Sequence, residues 1–583
     1  MTSATPKLYL NLYWHMHQPD YRDMLSREYV LPWTYLHAIK DYTDMAYHLE
    51  ANPQARVTFN FVPVLLDQLE DYARQFQTGE MRDPLLAMLA EREIEGISAE
   101  QRMLIIDSCF KNHHEKMLEP FPHYQKLHVI YRTLVPEGNA AFDYLSGQYM
   151  ADLLVWYHLA WTGESVRRNS PLVQQLMEKG SQFTLEDRLA LYALVGKLMN
   201  ALIPRYRKLL ADGQIEISTT PYYHPILPLL LDFKCTRDAM PYAPLPHCGR
   251  YPGGRGRASA HIQEALTSHA SRFGAQSQGM WPAEGGVSQA ALGLMAEHGV
   301  RWAATGEGVL TNSLYKSFDS LDLPPRHDYL YRPYRIQNGE HEIVCFFRDE
   351  QLSDKVGFEY SKWHSSEAVR DFIQTLEHIR NEAASDTNPV VSVILDGENA
   401  WEYYPYNGFY FLSELYQALT EHPDIEMTTF SDILDKAQQE QGIDIQALPA
   451  IAGGSWVYGS FSTWIGSAEK NLAWDLLSQA KKQYDKFMAA NTLSDEEKKA
   501  CEHQLAICEG SDWFWWFGDY NPSQSVESFD RLYRLNLSNL YRLLKLDVPA
   551  ALSQPISHGG GHPAAGGTMR RGHEDAVEKA HHD

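Results

Sequence analysis

Residues 388–408 read NPVVSVILDGENAWEYYPYNG. From Val390 to Leu395 the run is almost wholly apolar, the pattern of a parallel strand buried on both faces, and it stops abruptly at Asp396-Gly397-Glu398. By strand parity Asp396 and Glu398 share a face. Acids at the C-terminal end of a buried parallel strand sit where α/β barrels collect their reactive side chains, although a calcium or magnesium site would use the same oxygens. Trp401 follows closely enough to serve as a sugar platform.

Six further segments have strand character: Leu8–Tyr13, Val57–Phe61, Gln214–Ser218, Gly279–Trp281, Arg301–Ala304 and Ile343–Phe347. Helical patterns lie between most of them, so the expected class is α/β with a parallel sheet. The stretch from about 64 to 210, with DLLVWYHLAW and DRLALYALVGKLMNALIPRYRKLL, reads as a helical insertion. After about residue 436 strand signals fade, and three amphipathic runs between 468 and 547 predict a C-terminal helical domain over 436–550. Residues 551–583, rich in Gly and His, are expected to form a disordered tail.

The chain has 583 residues, 44% of them hydrophobic, enough for a large core. With 51 Lys+Arg against 75 Asp+Glu its formal charge is −24, which opposes nucleic acid and anionic lipid partners. A neutral polysaccharide meets no such barrier, and 14 Trp, 34 Tyr and 22 Phe offer rings for sugars to stack on. Six cysteines without a CxxC pair, no export-type leader and no apolar run long enough to span a bilayer point to a cytoplasmic protein. No cofactor is expected, and the oligomeric state is open.

Four other runs could carry chemistry. In YWHMHQPDY, His15 and His17 project from one face of the first strand, as structural histidines, metal ligands or pocket groups. In DGQIEISTTPYYHPILPLL, Glu216 inside an apolar strand needs a partner, and His224 sits in the Pro-rich loop that follows. In QGMWPAEGGVSQAAL, Pro282 and Gly285-Gly286 force a turn that exposes Glu284 next to Trp281, either as a nucleophile or as a carboxylate at a helix start near Ser288. In CEGSDWFWWFGDYN, Glu509 and Asp512 flank Trp513–Trp516, a buried aromatic core or a carbohydrate-facing wall. Two carboxyl groups suffice for glycoside hydrolysis, and Glu284 with Asp396 fits that scheme.

Taken in order, the five runs resemble the five motifs of glycoside hydrolase family 57. The phrases LHAIKDYTDMA, FFRDEQLSDKVGF and GSWVYGSFSTWIGSAEKNLAWDLL look most like its amylopullulanase and α-amylase branch, and the resemblance spans residues 7–545. It implies an incomplete (β/α)7 barrel over 1–435, with a C-terminal helical region that helps to form the cleft. It also implies a retaining double displacement on α-1,4 or α-1,6 glucosidic bonds, with Glu284 as nucleophile and Asp396 as acid/base. His15, His17, Glu216, His224, Trp281, Trp401, Asp512 and Trp513 fall at sugar-binding positions, and no metal is implied. One position departs: Gly306 stands where this branch would carry an acid beside Glu307. The same catalytic pair would serve a 4-α-glucanotransferase or an α-glucan branching enzyme. A metal-dependent polysaccharide deacetylase or mannosidase is the further alternative raised by the HxH pair, although no third ligand stands at a recognisable spacing.

Overall fold

A computed structural model describes residues 7–318, 322–383, 387–439, 441–490 and 493–561. Its strands are β1 (Leu8–Met16), β2 (Val57–Phe61), β3 (Ile215–Thr219), β4 (Gly279–Met280), β5 (Trp302–Gly306), β6 (Tyr334–Asn338), β7 (His341–Arg348), β8 (Val390–Asp396), β9 (Ile425–Met427) and β10 (Gln446–Ala447). Seven of them, β1-β2-β3-β4-β5-β7-β8, run parallel around a barrel that returns to β1. These are the seven segments read from the sequence. The β7–β8 seam is joined at one residue pair, Arg348 with Ser392, and this makes the ring incomplete. There the Arg348 side chain stands in for a ladder: its Nε donates to the Ile394 carbonyl of β8 at 2.8 Å.

Apolar parity builds the lumen. Tyr9 and Tyr13 of β1 point inward and meet Trp281, Trp302, Phe346, Ile394 and Phe430 in a cluster of their own. Tyr13 sits within 5.6 Å, ring to ring, of both Trp281 and Phe430. The lumen is therefore a packed floor beneath the barrel mouth rather than a pore. Alternate residues Leu10, Leu12 and Trp14 face the surrounding helices in the main core.

Helices fill residues 63–211 between β2 and β3, ending in the 27-residue helix Leu185–Ala211 behind a Thr184/Asp187 capping box. Beyond the sheet, helices Ala468–Ala490, Asp495–Cys508, Asp512–Trp516 and Ser523–Leu543 pack together.

Two expectations about boundaries change. The division at 435/436 falls inside the helix Phe430–Gln438, and β10 still pairs with β6 after it. A two-residue strand with exposed side chains carries no periodic signal. The tail expected over 551–583 is folded up to residue 561. Asp530 accepts from the Ile556 amide at 2.7 Å, and the amides of Gly560 and Gly561 reach the Asn521 carbonyl at 3.1 Å. A Cβ on Gly561 would come within 2.1 Å of the Tyr520 carbonyl oxygen, so this glycine marks a close approach of backbones rather than disorder. The remainder of that expectation, 562–583, lies outside the described residues.

Candidate active site

Glu284 follows β4 on a short turn and itself adopts φ 58°, ψ 25°, left-handed backbone that is uncommon for a side chain with a Cβ. The turn is clamped from the C-terminal part of the chain. The Trp456 indole Nε1 donates to Glu284 Oε2 at 3.0 Å, and the Trp456 amide donates to the Glu284 carbonyl at 3.1 Å. Gly306 at the end of β5 makes room for this loop, since a Cβ there would lie 2.7 Å from Trp456 Cα. An acid at 306 would need this loop to shift. The helix read near Ser288 begins at Gln289, capped by the Ser288 side chain.

Asp396 ends β8 and faces the same cleft. Burial raises its carboxyl from the ordinary 3.8 to about 6, opposed by an Asn399 Nδ2 hydrogen bond at 2.9 Å and by the charges of His17 and Arg348. Glu398, two residues on, is also pushed well up, by burial and by Asp396. Its Oε1 accepts from the His17 amide, Gln18 Nε2 and Tyr42 OH at 3.1–3.2 Å, while buried Oε2 has no protein partner.

The histidines form a layer above the lumen floor. His15 Nδ1 donates to Asn60 Oδ1 at 2.6 Å, since that amide oxygen can only accept. His15 Nε2 therefore accepts from His224 Nε2 at 3.2 Å, and His224 Nδ1 accepts from the Ser511 hydroxyl at 2.8 Å. Burial holds both rings neutral, His15 down at about 3 and His224 well below its ordinary value. His17 lies face to face with His224, 3.8 Å between centroids at 16°, and its Nε2 meets Asp512 Oδ1 at 2.7 Å. Asp512 thus supplies the third donor that sequence spacing could not reveal: His17, His224 and Asp512 have ligand atoms within 4.8 Å of one another. Stacked rings, however, keep their in-plane lone pairs in separate, nearly parallel planes.

A model for glycosyl hydrolase family 57 matches residues 11–446. The chain belongs to glycosyl hydrolase family 57. Among solved structures it is similar to a branching enzyme of this family from Thermococcus kodakaraensis, with TM-score 0.55, 14% identity, and 92% and 90% of the two chains covered. The α-amylase AmyC of Thermotoga maritima gives 0.54 and 14%, covering 92% of this chain and 93% of the other. The family 57 branching enzyme of Pyrococcus horikoshii gives 0.54 and 14%, covering 97% and 99%. At this identity the likeness speaks for the fold. No curated protein matches.

The family 57 cleft gathers His15, His17, Glu284, Asp396, Glu398, Asp512, Trp515 and Trp516 from the residues singled out by sequence. His224 stands just behind, 4.0 Å from Glu284, and Trp281 lies beneath it, wholly buried against Tyr13, His15 and Trp456. Three of the expected sugar contacts are elsewhere. Glu216 is the second residue of β3, at the opposite end of the barrel, and accepts from Trp302 Nε1 at 3.0 Å and the Ser431 amide at 3.1 Å. Trp401 is buried against Trp14 and donates to the Gly397 carbonyl, and Trp513 is buried against Tyr533 and donates to the Ile507 carbonyl. Each meets its need for a partner inside the protein. Glu509 likewise binds Arg257 and His261 rather than the cleft.

Cleft residues that sequence reading passed over include Arg348, Phe358, Asn399, Trp456 and Phe529. Trp515 and Trp516 were visible within the aromatic run, but which rings face outward depends on the short helix Asp512–Trp516. Arg348 and Trp456 sit in phrases that carry the family resemblance without marking either residue.

Among the described residues, no helix is long and apolar enough to cross a membrane.

Proposed function

We propose that this chain is a retaining α-glucan hydrolase that cleaves by double displacement, with Glu284 as nucleophile and Asp396 as general acid and base. The observation that carries the reading is the pairing in one cleft of a clamped carboxylate with a buried carboxyl raised to about 6. At neutral pH the second carries a proton often enough to give it away, which is what a general acid must do.

In the first step the Glu284 carboxylate forms a bond to the anomeric carbon while the glycosidic bond breaks and the Asp396 proton passes to the leaving oxygen. In the second, the Asp396 carboxylate takes a proton from water, the hydroxide adds to the anomeric carbon, and Glu284 departs as carboxylate. His17 with Asp512 and the unpaired buried Glu398 Oε2 supply polar atoms for sugar hydroxyls. The flanking phrases favour the amylopullulanase and α-amylase branch, hence α-1,4 bonds with α-1,6 bonds as further substrates.

Replacing Glu284 by Gln is expected to abolish turnover of maltooligosaccharides with the fold intact; undiminished turnover would refute the assignment. A second reading, 4-α-glucan transfer or branching, is favoured by the aromatic wall from the C-terminal helices, where Trp516 and Phe529 stack at 4.7 Å and 16°. Such a wall can hold an acceptor sugar in place of water. Glucose and maltose accumulating from amylose favour hydrolysis, and redistributed chain lengths or new branches favour transfer.

A further inference from the structure

We propose that Tyr406 and Tyr410, braced by Arg168, form a second α-glucan-binding platform outside the catalytic cleft, an inference that rests on the reading of this chain as α-glucan-acting. Neither ring lines the cleft. Tyr406 is 57% and Tyr410 45% exposed, and the rings meet edge to face at 5.6 Å and 86°.

The display of Tyr406 is costly. Tyr406 and Asn407 are consecutive non-glycine residues with φ of 53° and 55°, conformations that survive only where the surroundings enforce them. Enforcement comes from Asp44, whose carboxylate accepts from Asn407 Nδ2 at 2.9 Å and from the Glu164 amide at 2.8 Å. It also comes from Gly408, where a Cβ would lie 2.7 Å from the Trp401 ring. Simple burial of a tyrosine requires no such backbone, and here the strained turn delivers a ring to solvent.

The rings are fixed as well as exposed. The Arg168 guanidinium lies 4.4 Å from the Phe409 centroid and 4.9 Å from that of Tyr410, donates to Tyr410 OH at 2.9 Å, and is held by Glu164 at 2.8 Å. Glu164 offsets part of this charge while also pairing with Arg167 at 2.9 Å, and it fixes the Arg168 donors beside the rings. Rigid rings edged by N–H and O–H groups match a pyranose, with its apolar face and equatorial hydroxyls, and ordering them costs no side-chain entropy on binding. The turn follows the loop that carries Asp396, so the platform can hold a distant part of a chain whose scissile bond lies in the cleft.

Affinity electrophoresis through gels of amylose, glycogen or a soluble cellulose derivative tests this, beside kinetics on amylose and maltotriose. Tyr406→Asn removes the ring but keeps a residue that tolerates the left-handed backbone, and Tyr410→Ala keeps a good helix former. Each is expected to weaken retardation by amylose about threefold to tenfold and to raise KM on amylose, with kcat/KM on maltotriose unchanged. Unchanged retardation, or an equal loss on maltotriose, overturns the platform. Glu284→Gln separates the two readings: the inactive protein should still be retarded by amylose, and lose this when Tyr406→Asn is added. Full activity in Glu284→Gln overturns the catalytic assignment, with the platform still judged by retardation. Retardation by the cellulose derivative alone overturns the substrate class and the platform together.

Discussion

Trp456 holds Glu284 at two points, side chain to side chain and backbone to backbone, across 172 residues of sequence. A carboxylate that accepts a donor aimed from a packed indole cannot rotate away from its line of attack. Trp456→Phe keeps most of the packing and removes the donor. It is expected to lower kcat/KM about tenfold to a hundredfold, the worth of a hydrogen bond to a charged group, with little change in KM. Steady-state kinetics on maltooligosaccharides checks this.

Azide separates the roles of the two acids. With Glu284→Ala, azide can attack from the face the carboxylate occupied and should restore turnover with a β-glycosyl azide as product. With Asp396→Ala and an activated substrate, the enzyme-bound glycosyl intermediate still forms, and azide should yield the α-glycosyl azide. NMR of the isolated azides reads the anomer directly, and the same anomer from both variants contradicts a double displacement.

The pH profile should follow Asp396. Because its carboxyl is raised to about 6, the fraction able to donate falls as pH rises through that value, so kcat/KM should decline on the alkaline side with a limb near 6. Asn399 Nδ2 stabilises the charged form, so Asn399→Ala should raise the carboxyl further and move that limb to higher pH. A limb that stays put under Asn399→Ala would show that another group limits the reaction.

Glu509 is predicted to matter for stability rather than for sugar contact. Burial alone would raise its carboxyl, but the Arg257 guanidinium and the His261 hydrogen bond outweigh this and hold it near 2, below the ordinary 4.5. A depressed carboxyl contributes stability above its unfolded value and loses it as pH falls, here from about 4.5 toward 2. Glu509→Gln leaves Arg257 buried beside a neutral amide and should cost about 3 kcal/mol at neutral pH. Chemical denaturation of both proteins should show this gap at pH 7 and its narrowing below pH 4.5.

Position along a strand explains which acids the sequence could place. Asp396 ends its strand and Glu216 begins one, so period-two parity puts both on the lumen side while the barrel sends them to opposite mouths. With the strands parallel, the end of the strand at which an acid sits separates a cleft acid from a floor acid. The seven barrel strands were legible because each is a short apolar run bounded by turn residues. Trp401 and Trp513 misled for a different reason. An aromatic next to a motif is equally able to stack on sugar or to fill the core, and an indole N–H within reach of the Gly397 or Ile507 carbonyl decides for the core. Trp456 lay beyond reach because its partner is fixed by a loop closure of 172 residues, a relation that no window of sequence contains.

The seam between β7 and β8 gives the barrel a clasp in place of a weld. At that break the Arg348 guanidinium fastens β7 to the strand that ends in Asp396, while lying 5.6 Å from the ring of Trp456, the residue that clamps Glu284. A single side chain therefore reaches both the strand of the protonating acid and the clamp of the attacking one. In a chain of this architecture, exchanging that arginine is a way to retune the spacing of the reaction without touching either acid.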